Sequence, residues 1–160
     1  MFSPPDPLGL DTGSLALFTG FAAAAAVQDA LAGEGFGDLR FSHGYVFQHL
    51  IDAEPTVGDL AAKLDMTQQG ASKAVAELER LGYTERTPAP GDARIRLVHL
   101  TPRGRDAVAA ARQARAGLEE RLVQRCGAKS LAESRRVLAE LLDELGGAAA
   151  VRRRDVRPPR

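Results

Sequence analysis

The residues with the clearest chemical potential crowd the start of one amphipathic segment: Thr67, Gln68, Gln69, Gly70, Ser72 and Lys73. Glutamine pairs bidentately with adenine, serine and threonine donate or accept, and lysine reaches guanine or a phosphate. The first turn of a helix adds unpaired N–H groups that hold an anion, and Gly70 permits close backbone approach at some cost in helix propensity. A second group follows a Pro/Gly/Asp-rich stretch over 88–93, where Arg94 and Arg96 alternate and Asp92 stands just before them. Alternate strand residues share a face, and an arginine at a hairpin tip suits the narrow, negative minor groove. Asp92 is placed to clamp Arg94 by a bidentate contact. Arg103 and Arg105, next along the chain, are further phosphate candidates. The competing reading is a solvated polar face on an ordinary helical domain.

These residues need elements to position them. Thr67 is the N-cap of a helix over Gln68–Leu81, whose apolar set Ala71, Ala74, Val75, Leu78 and Leu81 recurs at helical spacing, with Gly82 as its C-terminal stop. Upstream, Thr56 and Asp59 form a capping box for Val57–Leu64. Two helices of these lengths joined by a short turn make a helix-turn-helix. Downstream, residues 83–86 and 95–100 read as strands around the turn. Thr101-Pro102 opens a long helix to about Arg125, and Ser130 with Glu133 caps a last helix carrying Leu131, Val137, Leu138, Leu141, Leu142 and Leu145. At the front, an alanine-rich helix starts at Thr12 or Ser14 and breaks at Gly33, Gly35 and Gly37; another starts near Ser42 and ends at Glu54-Pro55. The fold class is mainly α with one β-hairpin.

Composition narrows the function. The 160 residues (17.0 kDa) suit one compact unit. Twenty-one basic and twenty-one acidic residues cancel, but residues 1–65 sum to −7, 66–150 to +3 and 151–160 to +4. A neutral total therefore leaves room for a local basic patch. Cys126 is the only cysteine, which excludes an intrachain disulfide and a cysteine-rich zinc finger and fits a reducing compartment. His43, His49, His99 and Cys126 lack tight ligand spacing, so no metal is expected. No Gly-x-Gly-x-x-Gly, Walker, Gly-x-Ser-x-Gly or His-Glu-x-x-His sequence is present, so neither catalysis nor a cofactor is expected. The apolar run Gly20–Val27 is too short to span a bilayer, no basic export leader is seen, and no membrane partner is expected. There is no Trp and aromatics are 5%, so a stacking platform for single strands is poorly supplied.

The segments Thr56-Val-Gly-Asp-Leu-Ala-Ala-Lys-Leu, Met66-Thr-Gln-Gln-Gly-Ala-Ser-Lys-Ala-Val-Ala-Glu-Leu-Glu-Arg-Leu-Gly-Tyr and Gly91-Asp-Ala-Arg-Ile-Arg-Leu-Val-His-Leu-Thr-Pro-Arg-Gly together resemble the MarR family of winged helix-turn-helix transcription regulators. The resemblance runs from about Leu15 to Leu145. It implies a homodimer with interlocked terminal helices that binds double-stranded DNA at a pseudo-palindromic operator and acts as a repressor. Gln68, Gln69, Ser72 and Lys73 look like the base and phosphate readers, Arg94 the wing-tip arginine and Asp92 its positioning partner; Thr67, Gly70 and Arg96 complete the DNA-binding set. Gly70 and Ala71 depart from the family's larger or β-branched residues, and the reading helix has little arginine, which shifts affinity toward the wing.

The implied organisation is a flexible leader (1–13), an N-terminal dimerisation helix (14–33), a winged DNA-binding region (36–100), C-terminal dimerisation helices (101–147) and a frayed, basic tail (148–160). Relatives take small lipophilic or anionic aromatic effectors in a cleft; here Phe18, Phe21, Phe41, His43, Tyr45, Phe47 and His49 are the candidates, against the reading that they are plain core. A cytoplasmic, nucleoid-associated location follows from the resemblance. Two alternatives stay open: a winged-helix protein–protein adaptor that binds no DNA, and a redox regulator using Cys126.

Overall fold

A computed structural model describes residues 6–157. After a short 3-10 turn at Pro7–Gly9, the elements are α1 (Thr12–Gly33), α2 (His43–Leu50), α3 (Val57–Leu64), α4 (Gln68–Arg80), β1 (Thr84–Ala89), β2 (Asp92–Leu100), α5 (Pro102–Cys126), α6 (Ala128–Glu144) and α7 (Ala148–Arg152). The class is mainly helical with one antiparallel hairpin, as the sequence indicates.

Side-chain caps fix most helix starts. Asp11 accepts from Ser14 N at 2.9 Å to open α1. Thr56 Oγ1 accepts from Asp59 N at 3.1 Å while Asp59 Oδ2 accepts from Thr56 N at 2.9 Å, the reciprocal box that opens α3. Thr67 Oγ1 caps α4 through Gly70 N at 3.0 Å, and Thr101 Oγ1 caps α5 through Gly104 N at 3.1 Å. The expected Ser130–Glu133 box does not form. The helix α6 starts earlier, at Ala128 behind Gly127 with no side-chain cap, and Glu133 pairs with Arg136 at 2.8 Å instead.

One apolar core joins the central elements. Leu60 and Leu64 of α3, Val75 and Leu78 of α4, Val98 and Leu100 of β2, Tyr83, and Val46, Phe47 and Leu50 of α2 are all buried together. Each such aliphatic side chain contributes about 1.5–3 kcal/mol when fully buried. Ala107 of α5 joins the same cluster. Gly104 makes that approach feasible: a Cβ there would lie 2.2 Å from the carbonyl oxygen of Tyr83. The hairpin is held on its second edge too, because Val98 N donates to Pro55 O at 2.8 Å beside a Thr56–Leu97 bridge.

Three expectations need correction. The strands reach farther than the sequence indicates, so that only Pro90 and Gly91 form the hairpin loop. The 22-residue α1, with mean hydropathy 1.5 over its most apolar window, is long and apolar enough by length and composition to cross a membrane, whereas Gly20–Val27 alone is not. Near-neutral Thr, Ser and Gly residues lengthen the run without interrupting it.

The tail is the third. Residues 148–157 are docked rather than loose: α7 buries Ala148, Gln48 Nε2 donates to Val156 O at 2.7 Å, and Arg157 Nε donates to Lys63 O at 3.1 Å. Arg154 pairs with Asp52, and Arg157 lies 3.5 Å from Asp65. The acidic first part of the chain thus takes up charge from the basic tail. Residues 1–5 of the leader and 158–160 of the tail lie outside the described residues.

The terminal helices bury little within one chain. The helix α6 has no buried residue, and α1 has only Leu31. Leu138, Leu142 and Leu145 of α6, and Phe18 and Phe21 of α1, are exposed.

Candidate nucleic-acid interface

The helix α4 divides cleanly by periodicity. Ala71, Val75 and Leu78 face the core, while Gln68, Gln69 and Lys73 are exposed and Ser72 is half-buried. The first turn therefore presents amide and ammonium groups to solvent beside the helix's positive end. Thr67 Oγ1 is engaged in the cap, which leaves its hydroxyl proton for an outside acceptor. A Cβ on Gly70 would stand 3.2 Å from that cap oxygen, so the glycine serves the tight first turn.

The wing differs from an ideal ladder. Pairing runs Thr84–Leu100 to Pro88–Arg96, then jumps to Ala89–Asp92. Ala93, Arg94 and Ile95 have no opposite residue in this register and bulge at the tip. Asp92 Oδ1 accepts from the backbone N of Arg94 at 2.9 Å. The expected bidentate clamp on the guanidinium is thus replaced by a turn contact that sets the backbone, and the Arg94 side chain is exposed. Arg96 is exposed but committed, donating to Arg86 O at 2.9 Å. Arg86 in turn pairs with Glu79 of α4 at 3.1 Å, which ties the hairpin to that helix.

Arg103 and Arg105, the further phosphate candidates, are exposed but each is also engaged within the fold. Arg103 Nη2 donates to the Tyr83 hydroxyl at 3.0 Å and lies 3.3 Å from Asp38 Oδ2, while Arg105 donates to Leu100 O at 2.7 Å. The Tyr83 hydroxyl donates to Asp38, and burial followed by that carboxylate raises the phenol to about 12.

The aromatic candidates separate by helix face. A cavity of about 650 Å³ opens between α1, α2 and α5, and Phe41, His43 and Phe47 line it. His43 and Phe47 are four residues apart and share one stripe of α2; Tyr45 and His49 share another and miss the cavity. Tyr45 packs edge-on against Phe41 at 5.7 Å. His49 faces Lys63, Asp155 and Arg157 on the far side of α2. Phe18 and Phe21 stand on the exposed face of α1 and do not line the cavity. Alanines and arginines do most of what was expected of aromatics: Ala23, Ala24 and Val27 of α1, Ala111, Arg112 and Arg115 of α5, and Arg40 before α2. The signal was present in the small residues of α1 and in the arginines that follow Ala111, which lie on the cavity side of a helix otherwise read as a dimerisation element.

His43 is buried, and its Nδ1 accepts from Arg40 N at 3.1 Å. Burial, aided by Arg40 and opposed by Glu77, holds its pKa below the usual histidine value. With Nδ1 accepting, the ring proton of the neutral form sits on Nε2. Among the described residues, no group of three or more His, Cys, Asp or Glu gathers as a metal site, and His99 pairs with Glu85 at 3.1 Å on the wing. Cys126 is exposed at the end of α5.

The fold that carries the exposed start of α4 and the arginine-bearing hairpin is similar to known proteins. Residues 38–95 match the model of the MarR family. That segment runs from just before α2 into β2, so the helix-turn-helix and most of the hairpin are similar to the MarR family. Solved structures extend the likeness of the MarR-family fold across most of the chain. E. coli MarR in its reduced form superposes with a TM-score of 0.64 at 21% identity, covering 83% of this chain and 97% of that one. A variant of S. aureus MepR bound to an oligodeoxyribonucleotide gives 0.59 at 21%, covering 85% and 99%. A MarR-family transcriptional regulator from Rhodococcus sp. RHA1 gives 0.56 at 23%, covering 81% and 90%. No curated protein matches the chain.

Proposed function

We propose that this chain is a homodimeric transcription regulator, a repressor, that reads a pseudo-palindromic operator in double-stranded DNA. The observation that carries the reading is that Gln68, Gln69 and Lys73 are exposed on the first turns of α4 while the same helix is locked into the core by Val75 and Leu78. Gln68, Gln69, Ser72 and Lys73 read bases and phosphates in the major groove, with Thr67 and Gly70 shaping the turn. Arg94 enters the adjacent minor groove from the wing bulge. Asp92 sets its backbone, and Arg96 stiffens the strand behind it. The S. aureus MepR variant, with a similar fold, was solved with an oligodeoxyribonucleotide.

Dimerisation follows from the unburied faces of α1 and α6. Exposed Leu138, Leu142 and Leu145, with Phe18 and Phe21, are more apolar surface than a lone chain keeps open. A two-fold pair sets the two reading helices about 34 Å apart, one DNA turn. Such a role belongs in the cytoplasm, on the nucleoid when DNA is bound.

The cavity between α1, α2 and α5 is the effector site in this reading. Its walls are apolar (Val27, Leu31, Phe47, Val108), and Arg40, Arg112 and Arg115 outweigh Glu119 at its rim, which favours a small aromatic anion. Effector binding weakens DNA binding by linkage.

Selection of duplexes from a random pool by the full chain tests the reading. It is expected to enrich a sequence with two inverted half-sites. No enrichment would favour an adaptor role, and enrichment lost on oxidation but retained in Cys126→Ser would favour a redox switch.

A further inference from the structure

Arg40 belongs to two surfaces. It lines the cavity between α1, α2 and α5, and its guanidinium pairs with Glu77 of α4. His43 Nε2 lies 3.4 Å from the same guanidinium nitrogen and 3.7 Å from the same Glu77 oxygen. The buried imidazole thus backs the ion pair and limits where the carboxylate can go. Glu77 is also one helical turn beyond Lys73, at the i,i+4 spacing that lets side chains meet. Lys73 is exposed and makes no hydrogen bond or ion pair with the described residues.

We infer that Arg40 is a positioning residue for DNA reading: it holds Glu77 away from Lys73 and so keeps the lysine free for a phosphate. An anion entering the cavity competes for Arg40, Glu77 turns to Lys73, and the reading helix loses a positive group. The inference rests on the DNA-reading and effector roles proposed above, and it names the side chains that connect them. The pair suits exchange because the Arg40 side chain is 61% exposed, and ion pairs in contact with water are individually weak. The other two arginines at the cavity, Arg112 and Arg115, have no ion pair among the described residues, so an anion drawn in by them arrives beside Arg40.

Binding is measured with the full chain on a duplex that the wild type has selected, at several salt concentrations, for wild type, Arg40→Ala, Arg40→Lys, Glu77→Gln and Arg40→Ala/Glu77→Gln. Arg40→Ala is expected to bind roughly tenfold more weakly, with the salt slope reduced by about 0.9, the value of one lost phosphate contact. Arg40→Lys and Glu77→Gln bind as wild type. The double variant recovers wild-type affinity, because no carboxylate remains to occupy Lys73; a general defect in folding would not be rescued this way. Millimolar benzoate weakens the wild type and leaves Glu77→Gln unchanged. Arg40→Ala binding as wild type, or a double variant as weak as Arg40→Ala, overturns the positioning role. Benzoate acting equally on wild type and Glu77→Gln, or on neither, overturns the exchange. A wild type that enriches no duplex overturns the DNA reading itself and this inference with it.

Discussion

The guanidinium of Arg103 lies over the ring of Tyr83, 4.7 Å from its centroid, and donates to the phenol at 3.0 Å. Asp38 completes the knot, so the start of α5, the end of α4 and the α1–α2 connection meet at one buried hydroxyl. Tyr83→Phe keeps the packing against Phe36 and Phe47 but removes two hydrogen bonds. It is expected to cost about 1–2 kcal/mol, measured as a shift of the urea midpoint. An unchanged midpoint would mean that the knot contributes packing alone. The wild-type Tyr83 phenol is expected to titrate near 12 in an ultraviolet titration.

Gly104 tests the same junction sterically. A methyl group 2.2 Å from Tyr83 O cannot be accommodated unless the backbone moves. Gly104→Ala is expected to destabilise the chain by about 3 kcal/mol, at the upper end for overpacking. Gly20→Ala is the control, since nothing lies within 4 Å of its Cβ position. Thermal melts of the two variants check it; similar melts would show that α5 is not held close to Tyr83.

Much of this was legible in the residues. Thr56 with Asp59, Thr67 and Thr101 cap the helices that their types and positions indicate, because caps depend on local chemistry. The apolar period of α4 separates core from solvent as read. What escaped depends on contacts distant in sequence or on register. The contacts of Arg103 with Tyr83 and Asp38 join residues too far apart in sequence to be read together. Arg40 and Glu77, 37 residues apart, carry no joint signal. The wing bulge moves Arg94 off a regular strand, which alternation alone cannot show. The tail's arginines look free until the acids of the α2–α3 region are folded beneath them.

Acid should weaken the fold through two histidines. Burial holds both His43 and His49 below the ordinary value of 6.5, with Arg40 and Lys63 respectively adding to it and Glu77 and Asp155 opposing. The unfolded chain therefore binds these protons more readily. Their stabilising contribution is complete above pH 6.5 and is lost as pH falls through the lower folded values. Asp59, held below 3.8 by Thr56, continues the loss at still lower pH. The Tm is expected to decline below pH 6.5, and the double variant His43→Asn/His49→Gln to flatten that decline. An undiminished slope in the variant would assign the effect elsewhere.

The exposed leucines of α6 predict the assembly. Leu138→Lys/Leu142→Lys changes residues that are 45% and 38% exposed in one chain, so the lone fold tolerates them. Sedimentation at micromolar concentration is expected to show a dimer for the wild type and a monomer of unchanged helicity for the variant. A variant that stays dimeric would move the interface away from α6.

The central claim is that the first turns of α4 and the wing bulge act together, twice, on one duplex. Hydroxyl-radical footprinting of the full chain on a selected duplex tests it most directly. Two symmetric protections, centred about ten base pairs apart, are expected, each flanked by a minor-groove protection that disappears in Arg94→Ala while the central ones persist. A single unsymmetrical footprint, or flanks that survive the loss of Arg94, would contradict it.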